Sequence, residues 1–487
     1  MKRLIYISSF LLLLNGCAVG PDFTRPVAPN VSSYVKNNNP QVISSNSQDE
    51  FGATQQLKNL PVKSDWWTQF GNEKLNQLVD KALKNNPNVS ALQQTLEGAM
   101  NTALAQERTL TLPAINANLS ETKQRFNPAS FGQPSPPSIF SLTNASIGVS
   151  YSLDLFGGIR RQIEATYAQA EAQQYTYEAA RITLAANVVT TAIRRAAVKR
   201  QIELTKSIIK KQAEIYQTTL QRYQIGALSQ MDAANAKEQL ALIKSTLPAL
   251  QNQYAILENQ LSVYLGQLPA QNELSDLNLN EIKLPQELPL SVPSELIHQR
   301  PDILTSEALL HAATAQVGVA ISGEYPNITI NASYGALAAN PNSIFSRNSA
   351  IWSLSSGLVQ PLFRGGALEA ETDAAKALLK SAALQYQQTV LNAFQNVSDT
   401  ITTLETDGQY LDQSHEAYEA ASNQSQLTQT QYETGSSSYL QLLNATLHQQ
   451  QTEITLIQAR ASRLNDTAAL FLALGGGWHN SPSHTSK

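Results

Sequence analysis

The 487-residue sequence holds a single cysteine, Cys17. One cysteine cannot form an intramolecular disulfide, so the fold must stand on packing and hydrogen bonding. Charged residues make up 15%, below the ~25% of an average soluble domain, and the net charge is −4. That balance excludes the basic patches that nucleic acid selects. The longest apolar run, Leu4 to Leu14, covers about half of the ~20 residues a membrane-spanning helix needs, which excludes a helical membrane protein. There is no HExxH, no phosphate loop and no GxSxG nucleophile elbow. The six histidines, 298, 311, 415, 448, 479 and 484, are scattered and read as surface or helix residues. An enzyme is not expected, and neither a cofactor nor a metal.

What is present begins at the front. Lys2 and Arg3 precede the apolar run, and small residues follow at Gly16, Cys17 and Ala18. This charged, apolar, small order predicts a signal peptide over 1–16. Leu14-Asn15-Gly16-Cys17 resembles the bacterial lipobox, which implies cleavage before Cys17 and lipid on its sulfur and amine. Ala18 then fits the outer membrane. An ordinary signal peptide with a chance cysteine remains the alternative, since Asn15 is an unusual residue before the glycine.

Residues 17–64 are rich in Pro, Asn, Ser and Gln and read as a lipidated N-terminal tether. The folded body is expected to open at "DWWTQF", residues 65–70. Beyond it the sequence repeats itself. "RYQIGALSQMDAANA" (222–236) aligns with "QYETGSSSYLQLLNA" (431–445) at an offset of 209, "NNPNV" (85–89) echoes "QRPDI" (299–303), "LPAINANLS" (112–120) echoes "YPNITINAS" (325–333), and "LFGG" (155–158) echoes "LFRGG" (362–366). Ordered matches at near-constant offset indicate a duplication. The first repeat spans 65–267, a linker or equatorial segment 268–293, the second repeat 294–475, and a disordered tail 476–487.

Each repeat follows one plan. A helix of about thirty residues closes near Pro113 or Pro326. Two alternating segments follow, 114–122 and 145–155 in the first repeat, 327–337 and 351–361 in the second. Then come very long helical stretches, Ile159 to Ile225 and Ala367 to Thr434, that turn at Gly226 and Gly435, where a left-handed residue is needed.

The alternating segments have period two, the mark of a strand. Ile115, Ala117 and Leu119 oppose Asn116, Asn118 and Ser120, and Ile328, Ile330, Ala332 and Tyr334 oppose Asn327, Thr329, Asn331 and Ser333. A soluble half-buried sheet shows the same alternation. Small uncharged polar faces, and aromatics near the segment ends, point instead to an outer-membrane barrel. Four strands cannot close, and an open edge in hydrocarbon leaves backbone groups unpaired at several kcal/mol each. Two copies would give eight strands with a filled interior, whereas three give twelve with room for a lumen. The expected fold is therefore an α+β membrane protein: a homotrimeric twelve-stranded barrel continued by a long periplasmic α-helical barrel.

With the lipobox, "DWWTQF", "YSLDLFGG", "QPLFRGG", the segment 294–330 and the paired Tyr-x-x-Gly turns, the chain resembles the TolC family of outer-membrane factors, in its lipoprotein branch serving resistance-nodulation-division pumps. The resemblance implies a trimer that docks a periplasmic adaptor protein and an inner-membrane transporter of that class. It further implies a periplasmic iris just after the second turn, at Leu440 and Asn444, with Asp232 nearby. Ordinary helix packing is the alternative for Leu440. Asn444 stands where relatives often carry a carboxylate, so any ring of negative charge is weakened.

The function expected is a passive exit duct for drugs or other small toxic compounds. An exit duct for type I protein secretion is the alternative within the fold. A periplasmic coiled-coil tether without a pore is a third reading, against which stand the strands and the lack of a clean heptad pattern.

Overall fold

The computed structural model describes residues 18–36, 39–43, 54–127, 132, 136–271 and 274–478. The expected signal peptide, Cys17 and residues 479–487 lie outside them. In chain order the elements are β1 (Val42–Ile43), β2 (Gln55–Lys58), α1 (Glu73–Asn85), α2 (Pro87–Thr111), β3 (Ala114–Phe126), β4 (Ser138–Leu153), α3 (Gly158–Gln224), α4 (Gln230–Tyr264), β5 (Glu287–Pro289), α5 (Pro293–Gln299), α6 (Pro301–Ser322), β6 (Asn327–Ala338), β7 (Ala350–Val359), α7 (Ala367–Glu433) and α8 (Tyr439–Ala473). The chain divides into two compact units: residues 1–26, 95–173 and 305–387, and residues 27–94, 174–304 and 388–487.

The first unit carries the four-stranded antiparallel sheet β3-β4-β6-β7. β3 and β6 start where expected and β7 one residue early, but β4 starts at Ser138 rather than at 145, so the first hairpin runs longer: Glu121 pairs with Thr143, Lys123 with Ser141 and Arg125 with Ile139. The apolar alternation stops at Leu119, so the pattern hides this part of the ladder; backbone hydrogen bonds continue it without an apolar face.

In the second unit the expected thirty-residue helices are each broken once. Asn86 and Arg300 have extended backbones, ψ 120° and 122°, because each precedes a proline whose ring disfavours the helical region one residue back. Pro87 and Pro301 then open α2 and α6 as first helical residues. Asn86 Oδ1 caps the new helix by accepting from the N–H groups of Asn88 (3.0 Å) and Val89 (3.2 Å).

The tether reading of 17–64 is corrected. β1 pairs antiparallel with β2, and β2 pairs parallel with β5, Leu57 opposite Leu288. Gln55 is buried there, its Nε2 donating to Pro285 O (2.9 Å) and Thr467 Oγ1 (3.2 Å). The segment 268–293 is likewise more than a linker, since Leu277, Leu279, Ile282, Leu284 and Leu288 are core residues. The tail begins later than 476, because Trp478 Nε1 donates to Gln299 O (2.9 Å). "DWWTQF" does form core: Trp66 stacks on Phe471 at 5.1 Å, with Phe70 edge-on.

The long helices meet expectation to within a residue. α3 and α7 have 67 residues each and α4 and α8 have 35 each, α7 and α8 each starting 209 positions after their counterparts. At 1.5 Å per residue the longer pair each extend about 100 Å.

Candidate functional site: the paired turns and the strand faces

The two turns are built alike. α3 ends when Ala227 N–H bonds Arg222 O (2.9 Å) and Gly226 N–H bonds Tyr223 O (2.9 Å); α7 ends when Ser436 N–H bonds Gln431 O (2.8 Å) and Gly435 N–H bonds Tyr432 O (3.1 Å). This nested pair of bonds satisfies the last helical carbonyls and needs a left-handed residue. Gly226 and Gly435 supply it at φ 77° and 79°. Nothing lies within 4 Å of where a Cβ would sit, so conformation and not space demands glycine.

The next helix opens with a reciprocal cap. Ser229 Oγ accepts from Asp232 N–H (3.2 Å) while Asp232 Oδ2 accepts from Ser229 N–H (3.0 Å). Ser438 and Gln441 repeat it at 3.3 and 2.9 Å. Asp232, expected beside the iris, is thus engaged at a helix start, where its charge also suits the dipole.

On α8 the structure sorts residues by face. Tyr439, Leu442, Leu443 and Ala445 are buried, whereas Leu440 is 57% exposed and Asn444, one turn on, is exposed beside it. Ordinary packing inside the chain therefore does not account for Leu440. The buried face holds the two turns together: Ala236 of α4 packs with Tyr439 and Leu443, flanked by Ile215, Tyr216, Tyr432 and Leu447. Tyr432 meets Tyr439 edge-on at 6.3 Å, and the Arg222 guanidinium lies 5.2 Å from the Tyr432 ring centroid. Burial raises the Tyr439 hydroxyl pKa above its ordinary value. Sequence reasoning missed this clasp, although the repeated Tyr-x-x-Gly marked its place.

In the sheet, register brings like side chains into cross-strand rows. Ile115, Val149, Ala332 and Leu354 form one; Ala117, Ile147, Tyr334 and Trp352 form the next. Ile115, Leu119, Ile147, Ile330, Tyr334, Trp352, Leu354 and Leu358 of this face are solvent-exposed in the chain. The opposite face carries Asn116, Gly148, Ser333 and Ser353, and Ser333 Oγ and Ser353 Oγ share a hydrogen bond of 2.8 Å. An apolar face left open beside a polar uncharged one is the inverse of a soluble sheet and the pattern of an outer-membrane strand set.

A further site was absent from the sequence reading. Residues 18–26 lie along the first unit: Arg161 pairs with Asp22 and with Glu164 (2.8 Å), Arg25 with Glu307 (2.6 Å), and Phe23 stacks on His311 at 4.4 Å. His311 Nε2 is 2.8 Å from Glu164 Oε1, so this histidine has a partner and a place. Burial pushes the Glu164 carboxyl up, but the hydrogen bonds of Arg161 and His311 outweigh it and hold the pKa below the ordinary value. Among the described residues no cluster of His, Cys, Asp and Glu could hold a metal, and no helix is long and apolar enough to cross a membrane.

An antibiotic efflux pump outer membrane protein, ArpC of Pseudomonas putida, is 28% identical over 479 residues, 98% of this chain and 96% of the relative. A toluene efflux pump outer membrane protein of the same species, TtgC, matches at the same identity and coverage. The solved outer-membrane channel OprN superposes with a TM-score of 0.83 at 25% identity, covering 95% of this chain and all of that one. A profile of the family described as outer membrane efflux protein matches residues 78–267 and again 292–476. With both repeats matched and the strand faces and paired turns in place, the chain belongs to the outer membrane efflux protein family.

Proposed function

We propose that this outer membrane protein is the passive exit duct of a tripartite efflux pump, three copies closing a twelve-stranded barrel that a helical barrel continues into the periplasm. The observation that carries the reading is the open sheet β3-β4-β6-β7 with its exposed apolar face. Its edge strands need partners, and unpaired backbone in hydrocarbon costs several kcal/mol per group. Residues 328–336 rise about 30 Å along the strand, or about 23 Å at a barrel tilt near 40°, close to the ~25 Å apolar band of such barrels. Asn, Ser and Thr side chains of the other face line the lumen.

The duplication supplies the register between copies. Leu153 pairs with Ile328 inside the chain. The echoes 155–158/362–366 and 112–120/325–333 carry that pair onto Gln360 of one copy and Ile115 of the next. By the same shift Ser356 falls opposite Leu119, which keeps both on the apolar face, as directly opposed residues require.

At the periplasmic end Leu440 and Asn444 of three copies form the aperture, an uncharged ring, with Asp232 set back in its cap. Lipid on Cys17 adds an anchor in the outer membrane. The partners are a periplasmic adaptor protein and an inner-membrane resistance-nodulation-division transporter, which selects the cargo. Relatives named for antibiotic and toluene efflux support small toxic compounds over secreted proteins as that cargo. Deleting the gene tests this: lost tolerance to such compounds, restored by the wild-type chain, is expected, whereas loss of one exported protein with tolerance intact would overturn it.

A further inference from the structure

The long helices α3 and α4 of the first half match α7 and α8 of the second in length and offset, yet one layer of the second hairpin has no counterpart in the first. Asp407 of α7 and Asp466 and Arg463 of α8 stand 209 residues after Val198, Leu257 and Tyr254. Val198 and Leu257 are buried hydrocarbon. The second half thus places two carboxyls and a guanidinium where the first keeps apolar and aromatic packing. Arg463 is fully buried, at 0% exposure.

The carboxyl oxygens expose the need for a further atom. Asp407 Oδ2 is buried and accepts no hydrogen bond. The group that acts on it by hydrogen bond and charge is Asp466, a second acceptor, and an acceptor pair has no donor until one member is protonated. Asp466 also receives a long contact from Ser462 Oγ (3.4 Å). It borders a cavity of about 290 Å³ lined by Arg194 and Gln201 of α3, Gln253 of α4 and Asn465 of α8. The charged groups facing the pair are therefore Arg463, whose field also meets Asp412 of α7, and Arg194 across the cavity. One shared proton leaves the pair a single negative charge against the single positive charge of Arg463.

We propose that Asp407 and Asp466 share one proton and form a pH-sensitive latch that ties α7 to α8 in the second hairpin alone. Burial, then the hydrogen bond and charge of Asp466, push the Asp407 carboxyl up to about 8, against the pull of Arg463. At pH near 4 and below, folded and unfolded chains both hold this proton. Between there and about pH 8 only the folded chain does, so stability falls as pH rises, by up to about tenfold in the folded ratio per unit. Once the proton leaves, two half-buried charges repel beside the fully buried Arg463. Gly408, the one glycine within α7, lies beside Asp407 and lowers the local cost of opening. The latch concerns the helices of one chain and does not depend on the duct reading.

Hydrogen exchange on the full-length protein in detergent between pH 6 and 9 tests it, with the first hairpin as internal control. Segments 400–412 and 460–470 should lose protection faster with pH than 191–203 and 251–261. Asp407→Asn, which supplies a donor without a titrating proton, should abolish the excess. Where that variant fails to fold, the triple change Asp407→Val, Arg463→Tyr, Asp466→Leu transplants the first hairpin's layer and should also respond like it. Parallel loss of protection in both hairpins, or an excess that survives in the folded variant, overturns the latch.

Discussion

Phe156 stacks on Tyr325 with ring centroids 4.7 Å apart, where β4 and β6 leave their shared ladder. Their counterparts in the repeat are Phe363 and Leu112, which do not meet within the chain: Phe363 is 88% exposed and Leu112 58%. If copies pair as the repeat dictates, Phe363 of one chain covers Leu112 of the next. Cysteine pairs should report the register: Ser356→Cys with Leu119→Cys should yield a covalently linked ladder up to three chains under oxidation. The pair Leu354→Cys with Leu119→Cys, one step out of register, should link far less. Linking of the slipped pair alone would retain closure and overturn the register.

Gly435→Ala should cost about 1–2 kcal/mol, the price of a left-handed backbone with a Cβ. No clash adds to it, because the space around Gly435 is open. Gly435→Asn should cost less, since asparagine tolerates that region. Denaturant unfolding of the two variants measures the order, and equal losses would contradict a purely conformational role.

Asn444→Asp should convert a neutral ring into three facing carboxylates. Planar-bilayer recording across a salt gradient should show the reversal potential move toward cation preference, and a multivalent cation should block current. Asn444→Gln should do neither. A charge-blind current in the Asp variant would remove Asn444 from the aperture.

The N-terminal strap should loosen in acid. The Glu164 carboxyl, held below its ordinary pKa, contributes stability above the carboxylate range and loses it as pH falls through its lowered value. Limited proteolysis after residue 22 should therefore be slow at pH 7 and faster below about pH 4. Arg161→Ala, which removes the partner of both Asp22 and Glu164, should be cut readily at pH 7. Equal cutting of wild type and variant would contradict the strap.

The strands, the long helices and both turns were legible because each has a local cause: period two in 114–120 and 327–334, uninterrupted helix formers, and glycine at the two reversals. What stayed hidden was set by distant partners. β2 takes its shape from β5, about 230 positions away, and a two-to-four-residue strand shows no periodicity of its own. Asp22 and Arg25 look like ordinary polar residues of a linker until Arg161 and Glu307 face them. The helix breaks at Pro87 and Pro301 were visible only as an echo between "NNPNV" and "QRPDI". Leu440 and Asn444 were placed by resemblance, and only the burial of Tyr439, Leu442 and Leu443 shows that they share the open face.

The closure of the sheet by identical copies is the central claim, and the native mass of the mature protein, extracted from outer membranes in mild detergent with the detergent subtracted, tests it most directly. The account predicts the mass of three chains. A monomer would leave β3 and β7 as open edges in hydrocarbon and would contradict both the barrel and the duct built on it.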